Sequence, residues 1–599
     1  MHGDIKLDLG SLRGLYKTGA ATPADVIATI YDRIHAQPLE PVWISVVARE
    51  KALARARKLE RDPVGPVRPL YGIPFAIKDN IDLAGLPTTA ACPAYAYQPG
   101  RSATVVQALV DAGAIPLGKT NMDQFAAGLT GACSPYGACS SVFDGRYISG
   151  GSSSGSAVAV ASGLASFALG TDTAGSGRVP AACNGLVGLK PTRGVLSARG
   201  VVPACRTLDC VSILSLTCDD AHTVWSAARG FDAEDGFSRA PRPGDEAAPW
   251  LTGGFSFGVP PSGQLEFFGD DAAAALYAEA VDRMEALGGR RIEIDFSLLR
   301  AAADLLDAGP WVAERYAAMG AFLEAHADRL DPVVRGIVEG ARRYSAVDAF
   351  AAEYQLRDLR RAAESQWERM DVLLLPTTGA IYTHEAAAGT PLQLNANLGY
   401  YTSFVNPLDL AAVAVPAGVR ANGLPFGVSL IAPAFSEEAL LSLADRFHRA
   451  QTPVPGDVLD LAACPPGCIA VAVVGAHLWG QPLNHELTDR RAQLIKACRT
   501  APGYRLYALD RTMPPRPGLV RDPQFRGPGI EVEVWAMPEY QFAGFVAGVP
   551  APLGIGNAVL DDGTTVKSVV CEPYAVAGAT EITRFGGWKH YLSQALTTR

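Results

Sequence analysis

The sequence predicts an α/β layer architecture for its first, larger part and a smaller α+β or β-barrel-like domain for the rest. Strand and helix signals alternate over 70–119, and 150–192 has the small-residue composition of a tightly packed domain centre. From residue 468, β-like runs with hairpin signals replace both patterns. We therefore expect one domain over 1–452, a proline-rich linker over 453–467 and a second domain over 468–599.

Hydrophobic spacing locates the individual elements. The predicted helices, with Thr22 as the expected N-cap of the first, are 23–36, 48–59, 102–114, 270–287, 298–308, 310–325, 345–370 and 437–451. The predicted strands are 70–78, 115–118, 211–217, 255–260, 371–376, 401–416, 427–431, 469–474, 504–508, 530–535 and 566–570. Residues 232–250, rich in charge, Gly and Pro, are expected to form a surface loop.

Composition excludes several classes of function. The 599 residues are 48% hydrophobic and carry a net charge of −9 without long blocks of one sign, which argues against a nucleic-acid partner. The N-terminus lacks a signal peptide, and no apolar run is long enough to suggest a membrane partner. Eleven cysteines without a secretion signal indicate reduced thiols and a cytoplasmic location. The close pair Cys464 and Cys468 has no second pair at metal-ligand spacing, so we expect no metal.

Two Ser- and Gly-rich turns, Gly150–Ser156 and Thr171–Arg178, carry the strongest chemical signal. Such turns place hydroxyls beside free backbone N–H groups, as an oxyanion site requires, whereas a flexible linker would not enclose an apolar run. A serine nucleophile needs a base, and none of the nine histidines lies in this region. Lys78 ends a predicted buried strand, where burial would lower its pKa and free the amine as a base. The alternative is that Lys78 pairs with Asp79 or Asp82.

The motifs GIPFAIKDN around Lys78, GGSSSG from residue 150 and GTDTAGSGRVP from residue 170 resemble those of the amidase signature family over about residues 20–450. The resemblance implies a mixed central sheet covered by helices and no cofactor. It also implies that Ser176 is the nucleophile, that Ser152 is the bridging serine in a cis peptide and that Lys78 is the terminal base. By the same resemblance, the oxyanion donors are the N–H groups of Thr173, Ala174, Gly175 and Ser176. Arg178 is expected to brace the turn.

Within this family, GPWVAER at 309–315 and much of the second domain are similar to allophanate hydrolases. That similarity implies a homodimer that releases ammonia from a small ureide, while the second domain assists decarboxylation of the product. It assigns Arg315 to a substrate carboxylate. His477 and His485 are the candidate polar residues of the second domain, although a lone histidine is as often structural.

Two departures from the relatives concern the substrate. Cys133 stands where relatives have arginine, and Asp307 stands where they have a substrate-binding tyrosine. Both changes move the pocket toward negative charge, which favours a cationic ureide such as guanylurea over anionic allophanate. With Gln124 and Arg315, these residues are the predicted substrate contacts. The alternatives are that Asp307 pairs with Arg315 and allophanate is the substrate, that the chain is an ammonia-producing amidotransferase subunit, or that it is a non-catalytic binding protein.

Overall fold

A computed structural model describes 5–36, 41–62, 64–241, 254–451, 464, 467–479, 481–488, 490, 492–509 and 515–597. The chain divides into two compact units, Met1–His448 and Arg449–Arg599. The predicted linker at 453–467 falls almost wholly outside the described residues, as does the later part of the predicted loop at 232–250, so both stay predictions. No helix in the described part of the chain is both long and apolar enough to cross a membrane.

The predicted helices of the first unit begin and end close to where hydrophobic spacing places them, whereas several shorter helices, such as Ser154–Ala161 and Pro332–Glu339, were not predicted. Pro23–Ala36 buries its apolar stripe, including Val26, Ile27 and Ile30, as expected. The α-helices of this unit are Leu9–Thr18, Pro23–Ala36, Arg49–Arg61, Thr104–Asp111, Ser154–Ala161, Arg178–Cys183, Cys218–Ala228, Asp271–Ala286, Ser297–Ala308, Val312–His326, Pro332–Glu339, Ala346–Trp367, His384–Gly389, Pro391–Gly399 and Glu437–Gln451.

A mixed sheet forms the centre of the first unit, which confirms the predicted α/β architecture. Its strands in chain order are β1 Trp43–Val46, β2 Pro74–Lys78, β3 Ile115–Thr120, β4 Phe167–Asp172, β5 Val187–Lys190, β6 Cys210–Ser215, β7 Phe255–Val259, β8 Gly289–Glu293, β9 Val372–Pro376, β10 Leu410–Val419 and β11 Pro425–Pro433. The described strands are arranged in the order β1-β3-β2-β4-β6-β5-β10-β11-β9-β7-β8. β2 pairs in parallel with both β3 and β4, whereas β4 pairs antiparallel with β6.

The prediction of strand over 401–416 is wrong in its first half. Residues 401–409 form consecutive turns, and the strand begins only at Leu410. Tyr401, Phe404 and Val405 are buried in one apolar cluster, and their spacing of three and four residues fits a helical turn better than a strand. The turns also bring Thr402 and Asn406 to the residues that follow β4, as described below.

The second unit is rich in strands, but its described strands form open sheets rather than a closed barrel, which corrects the barrel-like alternative. These strands are β12 Cys468–Val473, β13 Gln493–Arg499, β14 Tyr504–Leu509, β15 Arg516–Arg521, β16 Glu531–Pro538, β17 Leu553–Val559, β18 Thr565–Cys571 and β19 Thr580–Glu581. One sheet has the order β13-β16-β12-β18-β17 and the other β15-β14-β19. Helices His485–Thr488, Glu539–Gly548 and Trp588–Thr597 accompany them.

The helix Ser154–Ala161 packs directly against the middle of the large sheet because its residues are small. A Cβ atom added at Gly155 would lie 2.5 Å from the carbonyl oxygen of Val42 and 2.6 Å from the amide nitrogen of Asn121. Since neither backbone atom belongs to a movable side chain, a larger residue at position 155 would force the helix away from the sheet.

We predict that Gly155→Ala lowers the free energy of unfolding by about 1–3 kcal/mol because its methyl group overpacks this contact. Gly14→Ala is the matched control, since Gly14 is also helical but has nothing within 4 Å of an added Cβ. Urea titration of both variants measures the effect. The packing argument fails if the two variants shift the unfolding midpoint equally.

Candidate active site

Three structural elements bring the sequence motifs to one edge of the sheet. Strand β2 ends at Lys78, and β4 runs parallel beside it with Ile77 opposite Leu169. The turn that follows β4 therefore begins beside Lys78. The helix Ser154–Ala161, which packs on both strands, starts directly after Ser152 and Ser153.

Lys78 is fully buried, and among the described residues its side-chain amine has two hydroxyl groups within hydrogen-bond distance. Its Nζ lies 2.8 Å from Ser152 Oγ and 2.8 Å from Thr171 Oγ1. Burial lowers the pKa of Lys78 to about 7, although the more distant Asp123 and Asp172 carboxylates oppose the shift. A substantial fraction of the amine is therefore neutral near pH 7 and able to accept a proton.

The alternative pairing of Lys78 with Asp79 or Asp82 is not found. Asp79 forms a buried salt bridge with Lys119, with 3.3 Å between Oδ1 and Nζ. Asp82 accepts hydrogen bonds from the hydroxyls of Thr88 and Tyr97. Both carboxylates that are near Lys78 in sequence are thus bound elsewhere.

The peptide bond between Gly151 and Ser152 is cis. The neighbouring serines hold the backbone rather than Lys78: Ser153 Oγ donates to the carbonyl of Thr171, and Ser156 Oγ donates to that of Leu169. Among the described residues no hydrogen bond joins the side chains of Ser152 and Ser176. The structure thus brings Lys78 and Ser152 into contact and leaves the hydroxyl of Ser176 on the wall of a cavity.

A buried carboxylate, that of Asp172, organises the turn that holds Ser176. It accepts hydrogen bonds from the N–H groups of Gly175, Gly177 and Arg178. The Arg178 guanidinium meets the same carboxylate with two bonds of 2.9 Å, and it holds the pKa of Asp172 below its usual value despite burial. Arg178 therefore braces the turn, as predicted.

The turn leaves three of the four predicted oxyanion donors available. In the described part of the chain, no hydrogen bond occupies the N–H groups of Thr173, Ala174 or Ser176, and all three residues line the cavity. The N–H of Gly175 instead donates to Asp172 at 2.8 Å, so the expectation that Gly175 is an oxyanion donor is not supported. Thr402 Oγ1 fixes the turn from the other side by donating to the carbonyl of Ala174 at 2.7 Å.

The cavity has a volume of about 580 Å³ and ends at Ser176. Asp307 and Arg315, two of the predicted substrate contacts, both line it, as does Arg343. No salt bridge joins Asp307 to Arg315 among the described ion pairs. Arg315 Nη1 instead donates to the carbonyls of Phe125 and Ala126 at 3.5 and 3.4 Å.

Asp307 lies near Arg300 and Ser403. The protein around the cavity raises the pKa of its carboxyl group to about 6, and both of those neighbours oppose the rise. Asp307 is therefore ionised above about pH 6 and presents a negative charge to the cavity.

The other two predicted substrate contacts do not line this cavity, which corrects that expectation. The Gln124 amide is buried, donating to the carbonyl of Arg329 and accepting from the N–H of Asp331. The backbone N–H of Cys133 donates to Asp123, and the Cys133 thiol belongs to an apolar cluster. Each residue is held in place by contacts with the protein.

In the second unit, His477 is buried, with Nε2 2.9 Å from Glu486 Oε2 and its ring edge-on to Phe545. Asn484 donates to the carbonyl of His477 at 2.8 Å. The side chain of His485 lies outside the described residues. In the described part of the chain, no cluster of His, Cys, Asp or Glu could hold a metal ion.

Several residues that shape this site were missed from the sequence. Thr171 and Asp172 stand inside the recognised GTDTAGS motif, so their position beside Ser176 could have identified them. Burial raises the pKa of Asp123 to about 6. Asp123 follows β3, and Lys78 is the last residue of β2, so both lie at the same edge of the sheet. Their positions after neighbouring strands could have identified Asp123 from the sequence. Thr402 carried no signal, because only the fold brings it to the turn.

Comparison with known proteins agrees with this fold. Residues 25–441 match the amidase family, and residues 469–593 match the allophanate hydrolase C-terminal domain. The chain therefore belongs to the amidase family, and it is an enzyme that hydrolyses amide bonds.

Particular relatives resemble nearly the whole chain. It is 40% identical to the urea amidolyase of Saccharomyces cerevisiae over 94% of its own length but spans only 32% of that relative, about a third. A solved Kluyveromyces lactis allophanate hydrolase is 40% identical, with a TM-score of 0.69 over 97% of this chain and 98% of that one. One component of the glutamyl-tRNA(Gln) amidotransferase of Lawsonia intracellularis is 30% identical over 75% of this chain and 98% of the relative.

We predict that Arg178→Leu lowers the free energy of unfolding by about 3–5 kcal/mol, because it leaves the buried Asp172 carboxylate without its cation. The double variant Arg178→Leu/Asp172→Asn should recover part of this loss. Arg146→Leu is the control, since Arg146 pairs with Asp144 at the surface and its removal should leave the unfolding midpoint unchanged. Equal midpoints for Arg178→Leu and Arg146→Leu in urea would contradict the assignment of Arg178 as a brace.

Proposed function

We propose that this enzyme hydrolyses the terminal amide of a small ureide and releases ammonia, using Ser176, Ser152 and Lys78 as a catalytic triad. The observation that carries the proposal is a buried lysine with its pKa lowered to about 7, 2.8 Å from Ser152, beside a cavity that reaches Ser176. A neutral amine in contact with a hydroxyl can act as a base without any histidine.

In the proposed reaction, Ser176 Oγ attacks the terminal carbonyl carbon while its proton passes to Ser152 and the Ser152 proton passes to Lys78. The tetrahedral intermediate then collapses and the C–N bond breaks. Lys78 returns the proton through Ser152 to the leaving nitrogen, which departs as ammonia. Water releases the acyl group by the same steps in reverse order. The contact between Ser152 and Ser176 would tighten when substrate fills the cavity, as catalytic hydrogen bonds often do.

The oxyanion would be stabilised by the N–H groups of Thr173, Ala174 and Ser176, which are the unoccupied donors of the turn. Fixed donors of this kind contribute about 3 kcal/mol each to transition-state stabilisation. Gly175 would contribute indirectly, because its bond to Asp172 fixes the direction of the adjacent N–H groups.

We infer that the substrate is cationic guanylurea, hydrolysed to carboxyguanidine, which loses carbon dioxide to give guanidine. Support comes from Asp307, which faces the cavity as a carboxylate and is not neutralised by Arg315. A carboxylate there attracts a guanidinium and repels the carboxylate of allophanate.

Allophanate itself is the second candidate substrate. It is favoured by Arg315 on the cavity wall and by the 40% identity to the Kluyveromyces lactis allophanate hydrolase. A role within an amidotransferase is less well supported, because the allophanate hydrolase C-terminal domain match covers 469–593. We also propose that the second domain assists decarboxylation through His477 and His485, and that the enzyme acts as a homodimer in the cytoplasm.

We predict that Ser176→Ala lowers kcat/KM by about 10⁴-fold or more, and that Lys78→Met lowers it by about 10²–10⁴-fold. In the wild-type enzyme, kcat/KM should fall as pH decreases through about 7, because the base is the neutral form of Lys78. Ammonia release from pH 5 to pH 9, about two units either side of that pKa, measures both effects. An unfolding midpoint constant over this range is the control, and activity independent of pH below 7 would exclude Lys78 as the base.

We predict faster ammonia release from guanylurea than from allophanate, biuret or malonamide, because only guanylurea matches the charge of Asp307. Asp307→Asn should raise KM for guanylurea by about 10-fold and lower KM for allophanate. Malonamide is uncharged, so its KM in this variant is the internal control. If wild-type enzyme turns over allophanate faster than guanylurea, the cationic substrate is wrong and allophanate hydrolysis remains.

A further inference from the structure

We propose that Asp209 is a positioning residue that holds Thr173 in place on the wall of the substrate cavity. Thr173 is the first residue of the turn that carries the proposed oxyanion donors. The inference rests on the proposed function, since it concerns the same Ser176 reaction. Three observations support it: the hydrogen bonds that converge on the Asp209 carboxylate, the contacts of the preceding loop with the helix that carries Arg315, and the charges around Lys78.

The Asp209 carboxylate lies directly beside the first residue of the turn. Strand β6 follows Asp209, and its first residue, Cys210, is opposite Asp172 at the end of β4. Asp209 is therefore at the level of Thr173, and its Oδ1 accepts a hydrogen bond of 2.5 Å from the Thr173 hydroxyl. Since Thr173 has an unoccupied N–H on the cavity wall, this bond fixes the orientation of one proposed oxyanion donor.

The same carboxylate also holds the loop that precedes it in the chain. It accepts the N–H of Ala204 at 2.9 Å and the N–H of Cys205 at 3.1 Å, and Cys205 lines the cavity. Three donors therefore point at one carboxylate. An asparagine of the same shape would present an NH₂ group to at least one of them, so charge and geometry are both required.

The same loop also contacts the helix Val312–His326, which carries Arg315. The N–H and hydroxyl of Thr207 donate to the Glu314 carboxylate at 2.9 and 2.5 Å, and the Cys205 thiol contacts the carbonyl of Trp311. A continuous set of bonds thus joins Thr173 through Asp209 to the helix that places Arg315 at the cavity.

Asp209 also contributes to the charge balance of the site. Burial raises its pKa to about 6, against the hydrogen bonds it accepts and the nearby Arg315 guanidinium. Asp209 also interacts electrostatically with Lys78, Cys205 and Cys210. The Asp209 charge raises the pKa of Lys78, so its removal should lower that pKa.

Asp209 also lines a second cavity of about 260 Å³, separate from the one that contains Thr173 and Ser176. Four further charged residues line this second cavity together with Asp209, namely Arg199, Arg206, Glu234 and Asp235.

The test compares Asp209→Asn, Thr173→Val and Thr173→Ser in the full-length enzyme. Two quantities are measured against pH: steady-state ammonia release, and the rate at which phenylmethanesulfonyl fluoride modifies Ser176, followed by intact mass. Asp209→Asn should lower kcat and the modification rate by about 10²-fold, with a smaller change in KM. It should also move the acid limb of the pH profile to lower pH, because Lys78 loses a nearby negative charge.

Thr173→Val should lower kcat similarly without moving the acid limb, and Thr173→Ser should recover most of the rate that Thr173→Val loses because it restores the hydroxyl. If Asp209→Asn does not fold, the two Thr173 variants decide the positioning role. The proposal would be overturned if Thr173→Val released ammonia and was modified at Ser176 at wild-type rates. It would also be overturned if Asp209→Asn folded and showed unchanged rates and an unchanged acid limb. Modification of wild-type Ser176 without hydrolysis of any ureide would instead refute the proposed substrate class.

Discussion

The site depends on a buried lysine that has no carboxylate in contact with it. Lys78 and Lys119 lie on the adjacent parallel strands β2 and β3, both fully buried, which makes them an internal comparison. Lys119 has a salt bridge to Asp79, whereas the contacts of Lys78 are the hydroxyls of Ser152 and Thr171. Because a buried ammonium without a paired charge is costly, burial lowers the pKa of both amines, and the Asp79 carboxylate in contact with Lys119 opposes that shift at position 119.

This arrangement is possible because the nearby carboxylates are bound to other groups. Asp123 accepts the N–H groups of Gly131 and Cys133, and Asp172 accepts backbone donors and Arg178. Both influence Lys78 through space without forming an ion pair with it. The carboxylates thus set the shape of the turns that carry the serines and limit how far the lysine pKa falls. One set of interactions determines both geometry and protonation.

The sequence was sufficient for the sheet architecture, because this depends on local patterns such as the strand that ends at Lys78. The contact between Lys78 and Ser152 was expected only from the family resemblance, and the helix Ser154–Ala161 was not predicted. The turns at 401–409 were not predicted, because Thr402 and Asn406 are placed by tertiary bonds to Ala174 and Asp172. Nothing in the sequence motif indicates that Gly175 donates to Asp172, since a backbone N–H carries no residue signature. Gln124 is near the site in sequence, but its amide bonds to Arg329 and Asp331 direct it elsewhere.

The groups proposed for the chemistry and for the choice of substrate belong to different elements of the fold. Lys78, Ser152 and Ser176 are fixed by β2, by the start of the helix Ser154–Ala161 and by the turn after β4. Asp307 belongs to the helix Ser297–Ala308, and its neighbours are Arg300 and Ser403 rather than any member of the triad. A change at residue 307 therefore alters the charge on the cavity wall without disturbing the contacts of Lys78. Such separation would let a chain 40% identical to an allophanate hydrolase keep the proposed reacting groups while the charge of the proposed substrate differs.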